Sequence, residues 1–494
     1  MKKILLFTTV VFTILLNSCV PESEIYTGND AVLGFSVDTL RFDTVFTEQG
    51  SATRFVKIYN DLGRTIEISE VKLARGDQSK FRINVDGLPG DATSVQIPPN
   101  DSIYIFAEVT VDPDQAISES PYVIQEDLSF LTNGNEQRVV LEAWGQNANY
   151  IPNRFNNGGI AVLDCNGGDI IWDDPKPYVI FGIMVIDNCN LIIAPGTNIF
   201  VHGGLESFVD EEDMLQFFND GRIITTGSGR IEINGTLEEP VTIQGDRLEE
   251  GFAEVPGQWF GIILGAGSKN NQFSNVTIKN SSLGVAVDSA GTLEIENSKI
   301  FNTASHGLFG IHAEIQARNC LLYNNAATAV RATYGGNYDF KNMTVISNGD
   351  QAASALSLSN LLCTDFPTCS NILRNPLNVS VENSILVGSG NDEISLIEIE
   401  DTDFNFDFKN CIVRVDELLM TDQYPDFLTD CENCITYDRS EALFFDANEE
   451  DFHLDTLSIA EERGIFNPDY PLDLDGVMRD TERPDIGCYE YIFE

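Results

Sequence analysis

The sequence predicts an all-β chain: an N-terminal β-sandwich followed by a right-handed parallel β-helix, a solenoid of short strands. Two observations carry this expectation. Seven short phrases headed by asparagine, such as NVTIKN, NSKIFN, NCLLYN and NMTVIS, start at Asn275, Asn297, Asn319, Asn342, Asn383, Asn410 and Asn433. Four of the six intervals are 22 or 23 residues, and the other two, 41 and 27, leave room for inserted loops. A fixed period of this length marks a solenoid. Upstream of the repeats, short alternating segments are separated by clusters of turn residues, the pattern of a sandwich.

Within each phrase the residues one and three places after the Asn are mostly small or aliphatic, as in Val276/Ile278, Cys320/Leu322, Met343/Val345 and Cys411/Val413. They share one face. Residues two and four places on, such as Thr277/Lys279, Lys299/Phe301 and Leu321/Tyr323, form a mixed outer face with the period of a strand. Asn returns five places on, at Asn280, Asn302 and Asn324, and asparagine tolerates the left-handed conformation that a strand-to-strand corner needs. A coil this short cannot hold a helix between strands. Each repeat therefore reads as three short strands joined by tight bends, with successive coils about 4.8 Å apart.

Taken in order, residues 1–18 have Lys2 and Lys3, then an apolar run from Ile4 to Leu16 that is too short for a membrane span and reads as an export signal. Leu16-Asn17-Ser18-Cys19 resembles a bacterial lipobox, which implies a lipidated Cys19 at the mature N-terminus and stable membrane anchoring through several acyl chains. Residues 19–31 read as a tether. The segment Val20 to Glu24 (VPESE) resembles signals that send Bacteroidota lipoproteins to the outer face of the outer membrane. The expected location is the outer membrane, exposed at the cell surface.

Residues 32–148 carry the alternating segments, among them Arg54 to Tyr59, Phe81 to Val85, Ser102 to Ala107 and Arg138 to Glu142. Strings such as FVKIYND and TNGNEQRVVLEAWGQNA resemble immunoglobulin-like modules near the start of Bacteroidota surface lipoproteins. That resemblance implies a fold and names no ligand. Residues 149–494 form the solenoid, whose opening strings, including Asp169 to Trp172 and Leu191 to Gly196, resemble the first coils of bacterial β-helices with a pectate-lyase-like fold. The acidic insertion from Glu206 to Asp220 is expected to form a short amphipathic helix capping the first coils. The C-terminal string with Asp473, Asp475, Gly476, Arg479 and Pro484 to Glu490 is similar to a closing motif of β-helix proteins and implies a closing coil.

Ten cysteines are present, and setting Cys19 apart leaves an odd number. Cys320, Cys411 and Cys434 share the inward slot of the repeat and are expected to be small core residues. Cys363 and Cys369, inside the longest interval, are placed for a local disulfide. Cys431 and Cys434 match CxxC by letter only, and the four histidines do not fall at zinc-ligand spacing.

A net charge of −48 repels nucleic acid, so no nucleic-acid partner is expected. Two functional readings stay open, because this architecture hosts both. In the first, the β-helix is a binding or structural surface, with Lys279, Lys299, Phe301, Tyr323 and Arg331 as candidate ligand-binding residues, since flat aromatics beside polar groups suit sugar stacking. In the second it is a polysaccharide lyase, with Lys279, Lys299 or Arg331 as base near Asp288, His306 and His312; only that reading brings in a cofactor, calcium. A glycosidase needs two carboxylates, and Ser305-His306-Gly307 has no paired Asp beside it.

Overall fold

The computed structural model describes residues 24–46, 51, 53–111, 122–152, 159–209, 215–249, 251–348, 353–365, 368–420 and 424–492. Residues 1–18 and Cys19 lie outside these. The chain divides after Asn147 into two compact units.

The first unit is a sandwich of two five-stranded sheets. One has the order Gly34–Phe35, Arg54–Asn60, Asp101–Val109, Phe81–Val85, Leu88–Pro89; the other has Thr39–Phe46, Asn135–Gln146, Tyr122–Thr132, Ile66–Leu73, Ala92–Ile97. Alternation does the sorting: along Asp101–Val109, Ile103, Ile105, Ala107 and Val109 are buried while Tyr104 and Phe106 face out. Residues 24–31, read as tether, lie along this sandwich. The Tyr26 amide donates to the Thr65 carbonyl at 2.8 Å, and Asn133 Nδ2 donates to the carbonyls of Tyr26 at 2.7 Å and Gly28 at 3.1 Å. Backbone groups that find partners so early give the segment a fixed path.

The second unit is a parallel β-helix with three faces. The first face is an 11-stranded sheet from Asn149–Ile151 to Ile435–Thr436, in sequence order and parallel throughout. The second and third faces together form a 16-stranded sheet, because Leu308–Arg318 and Val330–Lys341 run unbroken from one face into the other. One coil shows the path: Val276–Lys279 on the first face, Val285–Val287 on the second, Thr292–Glu296 on the third.

All seven repeat asparagines stand at the corner from third to first face in the left-handed region, with φ between 49° and 60°. Asn280, Asn302 and Asn324 repeat the conformation at the far end of the strand. Neighbouring coils join through these amides, Asn319 Nδ2 donating to Asn297 Oδ1 at 2.7 Å. The next residue explains a second regularity. Ser298 and Ser384 donate from Oγ, and Cys320 and Cys411 from Sγ, each to the carbonyl of the residue just before its Asn. The buried hydroxyl or thiol finds its acceptor in that carbonyl, so Ser and Cys both fit a slot that Val276 and Met343 fill in other coils.

Three expectations are corrected. The insertion around 206–220 contains an antiparallel hairpin, Leu205–Val209 with Leu215–Asn219, because so short a helix would be marginal while paired strands satisfy each other's backbone. Cys434 is not a free core thiol: it packs, partly buried, against the core and bonds Cys431, beside a short helix, Phe427–Asp430, whose Phe427 packs on Phe408 at the end of the third face. Disulfides also join Cys165 to Cys189 and Cys363 to Cys369.

The third correction concerns residues 442–492, which run along the outside of the first face instead of forming a closing coil. Asn383 exchanges hydrogen bonds with the Ile465 backbone at 2.7 and 2.9 Å, and Asn410 Nδ2 donates to the Arg463 carbonyl at 2.8 Å. Leu443, Phe452, Leu454, Leu474 and Ile486 cover Leu321, Tyr323, Ile346, Ile385 and Ile412 in one core cluster. Those five outward positions are apolar and need a cover, so this strap gives the first face a second hydrophobic layer. Among the described residues no helix is long and apolar enough to cross a membrane.

Candidate functional site

The five candidate binding residues do not form one surface. Lys279, Lys299, Phe301 and Tyr323 stand on the first face, and the strap reaches the last three of them. The Phe301 and Tyr323 rings stack at 4.6 Å and 9°, but Tyr323 is only 8% exposed beneath Phe452, whose ring centroid lies 5.0 Å away. Burial pushes the Tyr323 hydroxyl well above its ordinary range. Lys279 Nζ pairs with Glu254 Oε1 at 2.9 Å, and Lys299 Nζ lies 5.9 Å from the Tyr489 ring. Arg331 stands on the second face, in register with Phe309. Its Nη1 is 3.4 Å from His306 Nε2, while His306 Nδ1 lies 2.7 Å from the Thr328 carbonyl. Burial lowers the His306 pKa, which favours a neutral ring donating from Nδ1. His312, at φ 47° on the next corner, packs against the Tyr334 ring instead. The predicted aromatic platform is therefore covered, and the cations are divided between two faces.

The third face has an open groove in its place. Parallel pairing without register shift stacks outward side chains into columns. One column reads Thr292, Glu314, Asn337, Asn378, Asn405; the next reads Glu294, Gln316, Asp339, Ser380, Asp407; the last reads Glu296, Arg318, Lys341, Glu382, Lys409. From Glu314 and Gln316 onward the first two columns line a cavity of about 320 Å³. Asn337, Asn378, Asn405 and Asp407 are exposed. Asn378 Nδ2 donates to Asn337 Oδ1 at 3.1 Å, and Asn405 Nδ2 donates to Asn378 Oδ1 at 3.0 Å. Every amide of this ladder keeps at least one N–H for other partners.

The cations of the last column are engaged beside the groove. Arg318 Nη1 pairs with Glu294 Oε1 at 2.6 Å, Nη2 donates to Gln316 Oε1 at 2.5 Å, and the guanidinium lies 4.9 Å from the Tyr470 ring of the strap. Lys341 Nζ is 3.4 Å from Asp339, and Lys409 Nζ is 2.8 Å from Asp407, a bond that raises the Lys409 pKa. Among the described residues no group of three or more His, Cys, Asp or Glu side chains is arranged to hold a metal ion. The sequence signal of the groove lies before each Asn, not after it. The strands before it, EIQAR, NYDFK, NVSVE and NFDFK, show the same alternation, with polar residues on the open side.

Comparison with known proteins agrees with this architecture. Residues 260–365 match the family model described as a right handed beta helix region. No curated protein matches the chain. Among solved structures, the catalytic unit of a GH87 alpha-1,3-glucanase from Streptomyces thermodiastaticus aligns at 11% identity and a TM-score of 0.28, over 72% of this chain and 73% of that one. A protein of unknown function from Porphyromonas gingivalis aligns at 16% identity and a TM-score of 0.18, over 26% of this chain and half of that protein's own length. A family 123 glycoside hydrolase from Clostridium perfringens aligns at 5% identity and a TM-score of 0.17, over 46% of this chain and 63% of that one.

Proposed function

We propose that this protein is a lipid-anchored, surface-exposed glycan-binding protein whose working surface is the third face of its β-helix. The observation that carries the reading is the amide ladder Asn337, Asn378, Asn405 beside the Gln316, Asp339, Ser380, Asp407 column. An extended glycan lying along the solenoid axis would meet a fresh set of donors and acceptors about every 4.8 Å. Shallow, polar and open, the groove suits a chain that enters from the side. The lipobox-like Cys19 motif supports the anchor, and the sandwich would act as a spacer.

The lyase reading needs a cation free to act as base. Lys279 is bonded to Glu254, Lys299 lies against Tyr489, and Arg331 is on another face, which favours binding over cleavage.

Binding is tested on a broad glycan array followed by calorimetry with the best polymer. Asn378→Ala is expected to weaken binding about tenfold, the loss of one well-placed hydrogen bond at the centre of the ladder. A wild-type protein that binds no glycan, or an Asn378→Ala variant that binds as well as wild type, would overturn the reading. Anchoring is tested separately: Cys19→Ala should move the protein to the soluble fraction.

A further inference from the structure

We infer that the glycan taken by this groove is an uncharged polysaccharide, an inference that rests on the reading of the third face as a glycan site. The argument is one of charge and hydrogen-bond type. A polymer bearing carboxylate or sulfate groups needs cations whose charge is not already neutralised by a neighbouring carboxylate. Around this groove Arg318 is held by Glu294 and Gln316, Lys341 by Asp339, and Lys409 by Asp407. The residues that line the groove include Glu314, Asp339 and Asp407 and no cation. An anionic sugar placed there would face three carboxylates on a chain whose net charge is −48.

A neutral sugar meets a different surface. Each hydroxyl both donates and accepts, so it can take an N–H from the amides of Asn337, Asn378 or Asn405 and give its own proton to Asp339 or Asp407. The amides Asn337, Asn378 and Asn405 stand in one column and the carboxylates Asp339 and Asp407 in the next. Hydroxyls on one edge of a pyranose can use both columns at once, whereas a carboxylate can use only the amides.

The decisive experiment compares neutral polysaccharides with uronate and sulfated polymers, using the full protein, at low and physiological salt. Binding confined to neutral polymers, with an affinity that salt leaves unchanged, is the expected result. Binding to uronate or sulfated polymers that weakens steeply with salt would overturn this inference while leaving the glycan-binding reading in place. No binding in either class would instead overturn that reading. The double variant Asp339→Asn with Asp407→Asn provides a positive arm. It releases Lys341 and Lys409 and removes two repulsive charges, so it should gain binding to uronate polymers at low salt by about tenfold or more. Thermal denaturation of the variant establishes that it is folded, and a folded variant still blind to uronates would also count against the inference.

Discussion

Arg479 donates from Nη2 to Oδ1 of Asn319 at 2.9 Å, across 160 residues of sequence. Its side chain is buried, and its other partners are the Gly487 carbonyl at 3.0 Å and Glu490 Oε2 at 3.5 Å. The strap therefore uses a buried cation to hold a corner asparagine of the repeat. Replacing Arg479 with Met leaves Glu490 buried without its cation, which is expected to cost on the order of 3 kcal/mol. Urea denaturation of Arg479→Met measures this, and an unchanged midpoint would refute the role assigned to the pair.

Phe452 is the apolar counterpart of that anchor. It is 2% exposed against Tyr323 and Phe444. Truncation to Ala should cost roughly 3–5 kcal/mol, as for other buried aromatics. The loss should be local. Amide exchange is expected to quicken through 442–492 while the strands of the second and third faces keep their protection; uniform loss across all three faces would show that the strap is not a separable layer.

The corner asparagines differ from ordinary surface residues in their backbone. Asn297 holds φ 50° and accepts from Asn319 Nδ2. Asn297→Gly should change stability by less than about 1 kcal/mol, because glycine adopts this conformation without strain, whereas Asn297→Ala should cost about 1–2 kcal/mol. Equal effects in paired melts would mean that the side-chain bond, and not the left-handed turn, selects asparagine.

His453 gives the strap a pH dependence. Its Nε2 lies 2.7 Å from Asp475 and its Nδ1 2.5 Å from Asp451, and these bonds raise its pKa to about 9 from an ordinary 6.5. A raised folded-state pKa contributes stability that is fully present below pH 6.5 and is lost as pH rises through 9. Wild type is therefore expected to lose stability between pH 6.5 and 9.5, and His453→Gln should flatten that slope. The ring is partly exposed, so solvent moderates the effect.

Three thiols, Cys320, Cys411 and Cys488, are unpaired and buried, and burial pushes each up to about 12. None should react with an aromatic disulfide reagent in native protein at pH 8, and all three should react after unfolding without reductant, as mapped by mass spectrometry. Replacing both Cys165 and Cys189 with Ser, which opens a loop of 24 residues, should cost about 3 kcal/mol.

How much of this was legible follows from the range of each interaction. The left-handed asparagines, the small or apolar inward residue that follows each, and the alternation of strands depend on backbone within a few residues, so they recur from repeat to repeat. Cys434 departs from the pattern at the last coil, where Cys431 lies close enough to bond it. The cover over Phe301 and Tyr323 has a different origin. Phe301 and Tyr323 do point outward, as the period-two pattern implies, but direction along a strand does not say what lies beyond it.

The chain's own sequence determined the coil length, the identity of the corner residues and which side chains point inward, because each follows from local conformation and the water-driven burial of apolar groups. Only the tertiary structure decided which outward face stays open. Residues 442–492 lie over the first face through contacts such as Arg479 to Asn319 and Asn383 to Ile465, 160 and 82 residues apart. Such pairings leave no period in the sequence, since nothing local links the two partners, and they cover the aromatics of the first face while the amide ladder of the third remains open.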